Sequence, residues 1–185
     1  MLAGALAGMA AGGLLRAGCA DAQGENAQGE NAQGENAARR IALMNLHTGE
    51  HLDIEYFRDG DYSGDAQAKI QKLLRDFRTG EMHEIDPHLM DYLIQVAAES
   101  GKEARFSVIS GYRSPQTNAR LHERSTGVAQ HSLHMQGRAI DVRMAGIDCA
   151  DLAAHAEGLR RGGVGYYRAS NFVHLDTGAF RTWRG

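Results

Sequence analysis

SLHMQGRAIDVR, Ser132 to Arg143, runs a polar loop into a short strand, and that strand decides the architecture. Along Ala139–Arg143, successive side chains point to opposite faces. Ile140 and Val142 then share a core face, while Ala139, Asp141 and Arg143 share the other. Aspartate is disfavoured in strands, and a carboxylate taken out of water needs a partner. Arg143 is one candidate partner for Asp141, and a metal cation is the other. Gly137 lets the preceding loop turn tightly, so His134 can face back toward Asp141, seven residues on.

Phe172-Val173-His174-Leu175-Asp176 repeats the pattern: Phe172, His174 and Asp176 share one face, Val173 and Leu175 the other. A lone histidine is usually a satisfied core or surface residue. Two strands with polar faces, in a sheet otherwise apolar, indicate a site. His134, Asp141 and His174 together offer two imidazoles and one carboxylate. That is a three-ligand zinc set whose fourth position stays open to water, which separates catalytic from structural zinc. Zinc so held lowers the pKa of a water from about 16 to about 7 and polarises a carbonyl.

The rest of the chain builds a frame for this segment. Ile41–Leu46 and His51–Tyr56 are strand-like runs joined through Thr48-Gly49-Glu50, which predicts a hairpin, and Asp59-Gly60 is a turn. Asp65–Arg78 carries Ile70, Leu73, Leu74 and Phe77 at helical spacing, with Gly80 past its end. Asp86-Pro87 opens a second helix whose stripe is Leu89, Leu93, Val96 and Ala97, closed by Ser100-Gly101. Phe106–Ser110 is a buried strand, Ser114-Pro115 starts a helix to about Glu123, and Ser125–Gly137 is polar and irregular. Asp148–Arg160 is a helix closed by Gly162-Gly163, and Val164–Tyr167 and Phe172–Asp176 are the last strands. Helices early and strands late, with short loops, predict an α+β domain with a mostly antiparallel sheet and flanking helices.

Of the 185 residues, not all belong to that domain. Met1 to Leu15 is uncharged and too short for a membrane span, which needs about 20 apolar residues. With Ala20-Asp21-Ala22 as a cleavage site it reads as an export signal lacking a basic start, so residues 1–22 are a signal-like segment. QGENA then occurs three times between Gln23 and Ala37, too polar to bury a core, and residues 23–38 are a linker. Residues 39–185 form the working domain. After processing at Ala22 only Cys149 remains, a small buried hydrophobe, so neither a disulfide framework nor a thiolate zinc site is available. A formal charge of −3 gives no global attraction to nucleic acid or an anionic membrane.

Ser132-x-His134-x-x-Gly137-x-Ala139-x-Asp141 resembles the signature of the zinc D-alanyl-D-alanine peptidase superfamily, whose fold is shared with hedgehog N-terminal domains. Ser110-Gly111-Tyr112-Arg113-Ser114 resembles that family's SGYRS element. The likeness is strongest to the YcbK-like branch of exported bacterial proteins. It is carried by NLHTGE (Asn45–Glu50), LLRDFRTGE (Leu73–Glu81), VISGYRSPQTNARL (Val108–Leu121), GVAQHSLHMQGRAIDVR (Gly127–Arg143) and GGVGYYRASNFVHLDTG (Gly162–Gly178). The resemblance implies zinc at His134, Asp141 and His174, and Arg113 on a substrate carboxylate or the tetrahedral oxyanion. It further implies a periplasmic or envelope peptidase, a monomer without a transmembrane helix after processing, acting on peptidoglycan stem peptides.

One position departs from the pattern. Many relatives carry Glu or Asp three residues before the last histidine ligand, as general base, and Asn171 stands there. Asp176 is the nearest acid, either a base or a partner that orients a histidine ligand. His131, three residues before His134, is a second candidate acid/base, or a loop histidine facing solvent. His47, His51, His83, His88, His122 and His155 lack paired carboxylates at comparable spacing and read as background. The expected activity is a zinc murein endopeptidase acting on cross-links. The alternatives are a D,D- or L,D-carboxypeptidase and a non-catalytic zinc or peptidoglycan-binding module, which Asn171 favours. A purely structural domain would carry no zinc.

Overall fold

The computed structural model describes residues 37–124 and 128–185. The signal-like segment, almost all of the QGENA linker and Ser125–Gly127 lie outside them. Eight strands form one sheet: β1 (Arg39–Asn45), β2 (His51–Arg58), β3 (Asp61–Tyr62), β4 (Arg105–Ser110), β5 (Ala139–Met144), β6 (Gly163–Tyr167), β7 (Phe172–Asp176) and β8 (Arg181–Arg184). Their order across the sheet is β3-β2-β1-β4-β5-β7-β6-β8. β1–β4 and β6–β8 pair parallel and the other neighbours antiparallel, so the domain is α+β with a mostly antiparallel sheet.

Among the described residues four α-helices accompany it: α1 (Gly64–Leu73), α2 (Pro87–Glu99), α3 (Pro115–Arg124) and α4 (Cys149–Leu159). α1 packs on β2, α2 on β1 and α4, and α4 on β5, β6 and β7. The core lies between them: Ile140, Val142, Val173 and Leu175 from the sheet meet Leu89, Leu93 and Leu152 from the helices, all wholly buried. Truncating such a residue costs roughly 2–5 kcal/mol, since the vacated space closes only in part. The period-two pattern thus commits one sheet face to the core and leaves the other free for polar groups.

Helix starts follow their sequence signals. Asp86 accepts from the His88 amide at 3.0 Å, with Pro87 at the first helical position. Asp148 accepts from the amides of Ala150 and Asp151, both at 2.9 Å.

Helix ends depart from expectation. α1 stops at Leu73, not Arg78. Beyond it the buried Asp76 accepts from the backbone and hydroxyl of Ser114, at 2.9 and 2.8 Å, and from the Arg78 amide at 2.9 Å. Phe77 leaves to stack on His47 at 3.9 Å between ring centroids. These tertiary partners outweigh one more helical turn. α4 is closed not by Gly162-Gly163 but by Arg160 in the left-handed conformation (φ 51°), and Gly163 begins β6 instead. Strands β3 and β8, too short and too polar to show alternation, were not anticipated. Among the described residues no helix is long and apolar enough to cross a membrane.

Candidate active site

The polar face of the sheet carries two rows of paired residues. Ser110, Asp141, His174, Gly165 and Trp183 lie opposite one another across β4, β5, β7, β6 and β8. One step along, Ala139 faces Asp176. Asp141 and His174 are therefore direct cross-strand neighbours, which a reading of either strand alone cannot reveal. A bulge in β4 between Val108 and Ser110 redirects the chain into Gly111-Tyr112-Arg113 at the edge of the row. Asp76 braces this segment. Burial pushes its carboxyl up, but hydrogen bonds from Thr117 and Ser114 prevail and hold it at about 2.

His134 arrives on a single 3-10 turn, Leu133–Gln136, closed by Gly137 at φ 65°. A Cβ at Gly137 would lie 1.9 Å from the Glu84 carbonyl oxygen, so no other residue allows this turn. His134 Nδ1 lies 2.7 Å from the Gly111 carbonyl oxygen. A carbonyl only accepts, so Nδ1 holds the proton and Nε2 presents a lone pair. That Nε2 is 3.2 Å from Asp141 Oδ1 and 3.2 Å from His174 Nδ1, and His174 Nδ1 is 2.9 Å from Asp141 Oδ1. His174 Nε2 lies 3.0 Å from Asp176 Oδ2, to which it donates, so its Nδ1 also presents a lone pair. Two imidazole nitrogens and a carboxylate oxygen face one another with all three residues buried.

Electrostatics agree with that geometry. Burial pushes the His134 pKa down, keeping its imidazole neutral. Burial opposes ionisation of Asp141, yet its carboxyl is held well below the usual range, and the Arg113 guanidinium on Oδ2 favours the charged form. For His174 burial is outweighed by the hydrogen bonds to Asp141 and Asp176, and its pKa is raised. A cation with borderline nitrogen and oxygen preference suits this donor set.

Arg113 is brought onto Asp141, with Nη2 2.7 Å from Oδ2 and Nε 3.1 Å from Ser110 Oγ. Arg143, one of the two candidate partners read for Asp141, is elsewhere: its Nε donates to the Asn171 carbonyl at 2.6 Å. Asn171 itself serves the β6–β7 turn, in the left-handed conformation at φ 52°, and is not among the residues lining the cleft. Asparagine tolerates that conformation, which explains the residue without reference to catalysis.

Asp176 does not face the cluster as a base would. It sits behind the His174 ring, wholly buried, and accepts from five donors. Oδ1 takes the amides of Gly163 (3.1 Å) and Gly178 (2.8 Å) and Arg181 Nη1 (3.1 Å). Oδ2 takes Arg181 Nη2 (2.6 Å) and His174. Burial opposes ionisation, but these donors hold the carboxyl far below its ordinary value. A carboxylate so occupied has no lone pair to spare for a substrate proton. Of the two roles read for Asp176, base or partner that orients a histidine ligand, this geometry favours the second.

The cluster forms the floor of a cleft of about 500 Å³. Arg113 and His131 line it, Tyr167, Phe172 and Trp183 form an aromatic wall, and Arg181 borders it. His131 is exposed at the rim. The loop carrying it is held by α3: Asn118 Nδ2 donates to the carbonyls of Ala129 (3.1 Å) and Gln130 (3.2 Å), and His122 Nδ1 lies 2.7 Å from that of Val128. Of the histidines read as background, His47 and His83 stack on Phe77 and Tyr112, while His88 lies 3.4 Å from Asp91. Sequence reading assigned no role to Asp76, Asn118 or Arg181; the first two lie inside the stretches Leu73–Glu81 and Val108–Leu121, and Arg181 lies outside every such stretch.

A lone-pair triangle opening onto an aromatic-walled cleft is the arrangement of a metal-dependent hydrolase. The chain belongs to the metallopeptidase family Peptidase_M15_2, Peptidoglycan L,D-endopeptidase MepK, whose model matches residues 33–183. Among relatives, it is 43% identical over 148 residues to the probable peptidoglycan L,D-endopeptidase MepK of Haemophilus influenzae, covering 80% of each chain. It is 43% identical over 145 residues to the peptidoglycan L,D-endopeptidase MepK of Escherichia coli K12 and to that of Shigella flexneri, covering 78% of this chain and 80% of theirs. No solved structure matches the chain significantly.

Proposed function

We propose that this chain is a zinc-dependent murein endopeptidase that opens L,D cross-links between peptidoglycan stem peptides. The carrying observation is the triangle of His134 Nε2, His174 Nδ1 and Asp141 Oδ1, at separations of 2.9 to 3.2 Å under an open cleft. The names of relatives 43% identical over four-fifths of the chain supply the bond class.

His134, Asp141 and His174 would hold zinc, which when bound acidifies a water and polarises the scissile carbonyl. Arg113 keeps Asp141 ionised through Nη2 and offers the rest of its guanidinium to the cleft. There it would receive a substrate carboxylate or the charge on the tetrahedral oxygen. His131 is the group we assign to proton transfer. Of the cleft-lining imidazoles it alone is not in the triangle, and it makes no hydrogen bond among the described residues. Asp176 orients His174. The tyrosine, phenylalanine and tryptophan wall would pack the substrate's aliphatic stems and keep water from the reacting amide.

The hedgehog-like fold relationship, action as a monomer and a periplasmic location belong to the same reading, supported by the resemblance and by the wall-directed names of the relatives. The test is a digest of purified muropeptides followed by mass spectrometry. Loss of L,D-linked dimers with matching monomers is expected. Release of terminal alanine alone would replace this reading with a carboxypeptidase, and intact muropeptides bound but uncut would replace it with a binding module.

A further inference from the structure

Arg181 stands outside every motif, on the edge strand β8, and yet it lies two links from the candidate metal ligand. Its Nη1 and Nη2 take both oxygens of Asp176 at 3.1 and 2.6 Å, the fork-to-fork geometry that a guanidinium provides and an ammonium does not. Asp176 passes the constraint on by accepting from His174 Nε2 at 3.0 Å. The chain makes room for this contact at Gly163. A Cβ there would lie 2.3 Å from Asp176 Oδ2 and 2.6 Å from Arg181 Nη1. The parallel β6–β8 pairing puts Arg181 opposite Gly163 itself. Carboxylate, glycine and guanidinium therefore form one fitted unit behind the His174 ring.

We propose that Arg181 is a positioning residue for the metal centre: by clamping Asp176 it fixes the His174 ring with Nδ1 toward Asp141 and His134. The inference rests on the metal reading above and adds a residue to it. Without Arg181, Asp176 Oδ2 keeps His174 as its sole side-chain donor, and the ring gains freedom to turn. A carboxylate behind a ligating histidine raises ligand basicity and fixes the tautomer, and losing such support typically costs about 10- to 100-fold in metal affinity. Arg181 also borders the cleft, with nearly half its side chain exposed. A direct substrate contact is the competing role.

The experiment measures zinc dissociation constants by competition with a chromophoric chelator, on the full chain. It compares wild type, Arg181→Ala, Arg181→Lys, Asp176→Asn, and Arg184→Ala as control. Arg184 sits on the same strand and pairs with Glu157 at 2.6 Å, so its loss disturbs β8 without touching Asp176. Arg181→Ala is expected to bind zinc roughly 10- to 100-fold more weakly. Arg181→Lys should recover part of that loss and Arg184→Ala should match wild type. Combining Arg181→Ala with Asp176→Asn should add little to either alone, because both act through one ring. Zinc affinity of Arg181→Ala within twofold of wild type overturns the inference. So does an equal loss in Arg184→Ala, or a change confined to KM in the muropeptide assay. A wild-type chain that binds no zinc overturns the metal reading as well, which keeps the two failures distinct.

Discussion

Two regions of this domain bury a carboxylate among aromatic rings and a guanidinium, and they resolve the burial differently. Asp91 on α2 accepts from Tyr56 Oη at 2.8 Å, from Arg39 Nη1 at 2.8 Å and from Tyr62 Oη at 2.5 Å. Each contact runs from a donor to an acceptor. Burial opposes ionisation of Asp91, but these donors prevail and its carboxyl stays below the ordinary value, while Tyr62 is pushed up to about 12 by burial first and by Asp91 next. Around Asp141 the balance is reversed: Oδ1 meets two imidazole nitrogens whose protons are already given to Gly111 and Asp176. A buried acid surrounded by donors is complete in itself. An oxygen that meets only lone pairs, as Asp141 Oδ1 does beside an Oδ2 already taken by Arg113, is complete only with a cation. Burial and proximity are alike in both regions, and the count of protons separates them.

The largest effect expected from this contrast is on His134. His134→Ala should lower zinc content from about one per chain to none by elemental analysis and abolish muropeptide cleavage. A metal-free wild type would erase the distinction between the two regions. Next, His131→Gln should lower kcat by roughly 10²- to 10⁴-fold, the range for loss of a general acid–base group. Its zinc content should be unchanged, because His131 lies outside the triangle. A variant that keeps full kcat would remove His131 from the chemistry.

Asp91→Ala should act on stability alone. It leaves the buried Tyr56 hydroxyl without its acceptor, at a cost of roughly 1–3 kcal/mol in urea unfolding. Its chelator-measured zinc affinity should equal that of wild type, and a tenfold loss would show the two regions to be coupled. The smallest effect is in acid. Asp76 is held at about 2, and its ordinary value is 3.8. A depressed carboxyl contributes its stability above the unfolded value and loses it as pH falls through the folded one. The urea midpoint should therefore fall between about pH 4 and pH 2, and Asp76→Asn should flatten that slope.

Much of this was legible beforehand, for a physical reason. Asp141, His174 and Asp176 stand on strands, where a period of two assigns faces directly, and Gly137 marks the tight turn that returns His134. The resemblance supplied Arg113. What escaped were tertiary facts. Asp76 ends α1 through a bond to Ser114, 38 residues on. Arg181 reaches Asp176 only because β8 pairs with β6, and no alternation in four polar residues announces that. The side-chain partner that sequence offered for Asp141, beside a metal cation, was its neighbour Arg143, whereas the β4 bulge delivers Arg113. Spacing left Asp176 open between a base and a partner of a histidine ligand for the same cause, since the number of donors around a carboxylate is set by the fold.

The triangle is also divided by how its corners open. Asp141 and His174 stand on β5 and β7, interior strands bonded on both sides. Their amides should exchange with deuterium only in the rare global unfolding of the sheet. His134 stands on one short turn bonded to two loops, through Arg113 N–H on its own carbonyl at 3.1 Å and Asp86 N–H on that of Gly137 at 3.0 Å, so its protection should follow those loops and not the sheet. Deuterium exchange at the three corners would thus report on two different parts of the molecule, the sheet through Asp141 and His174 and the loops through His134.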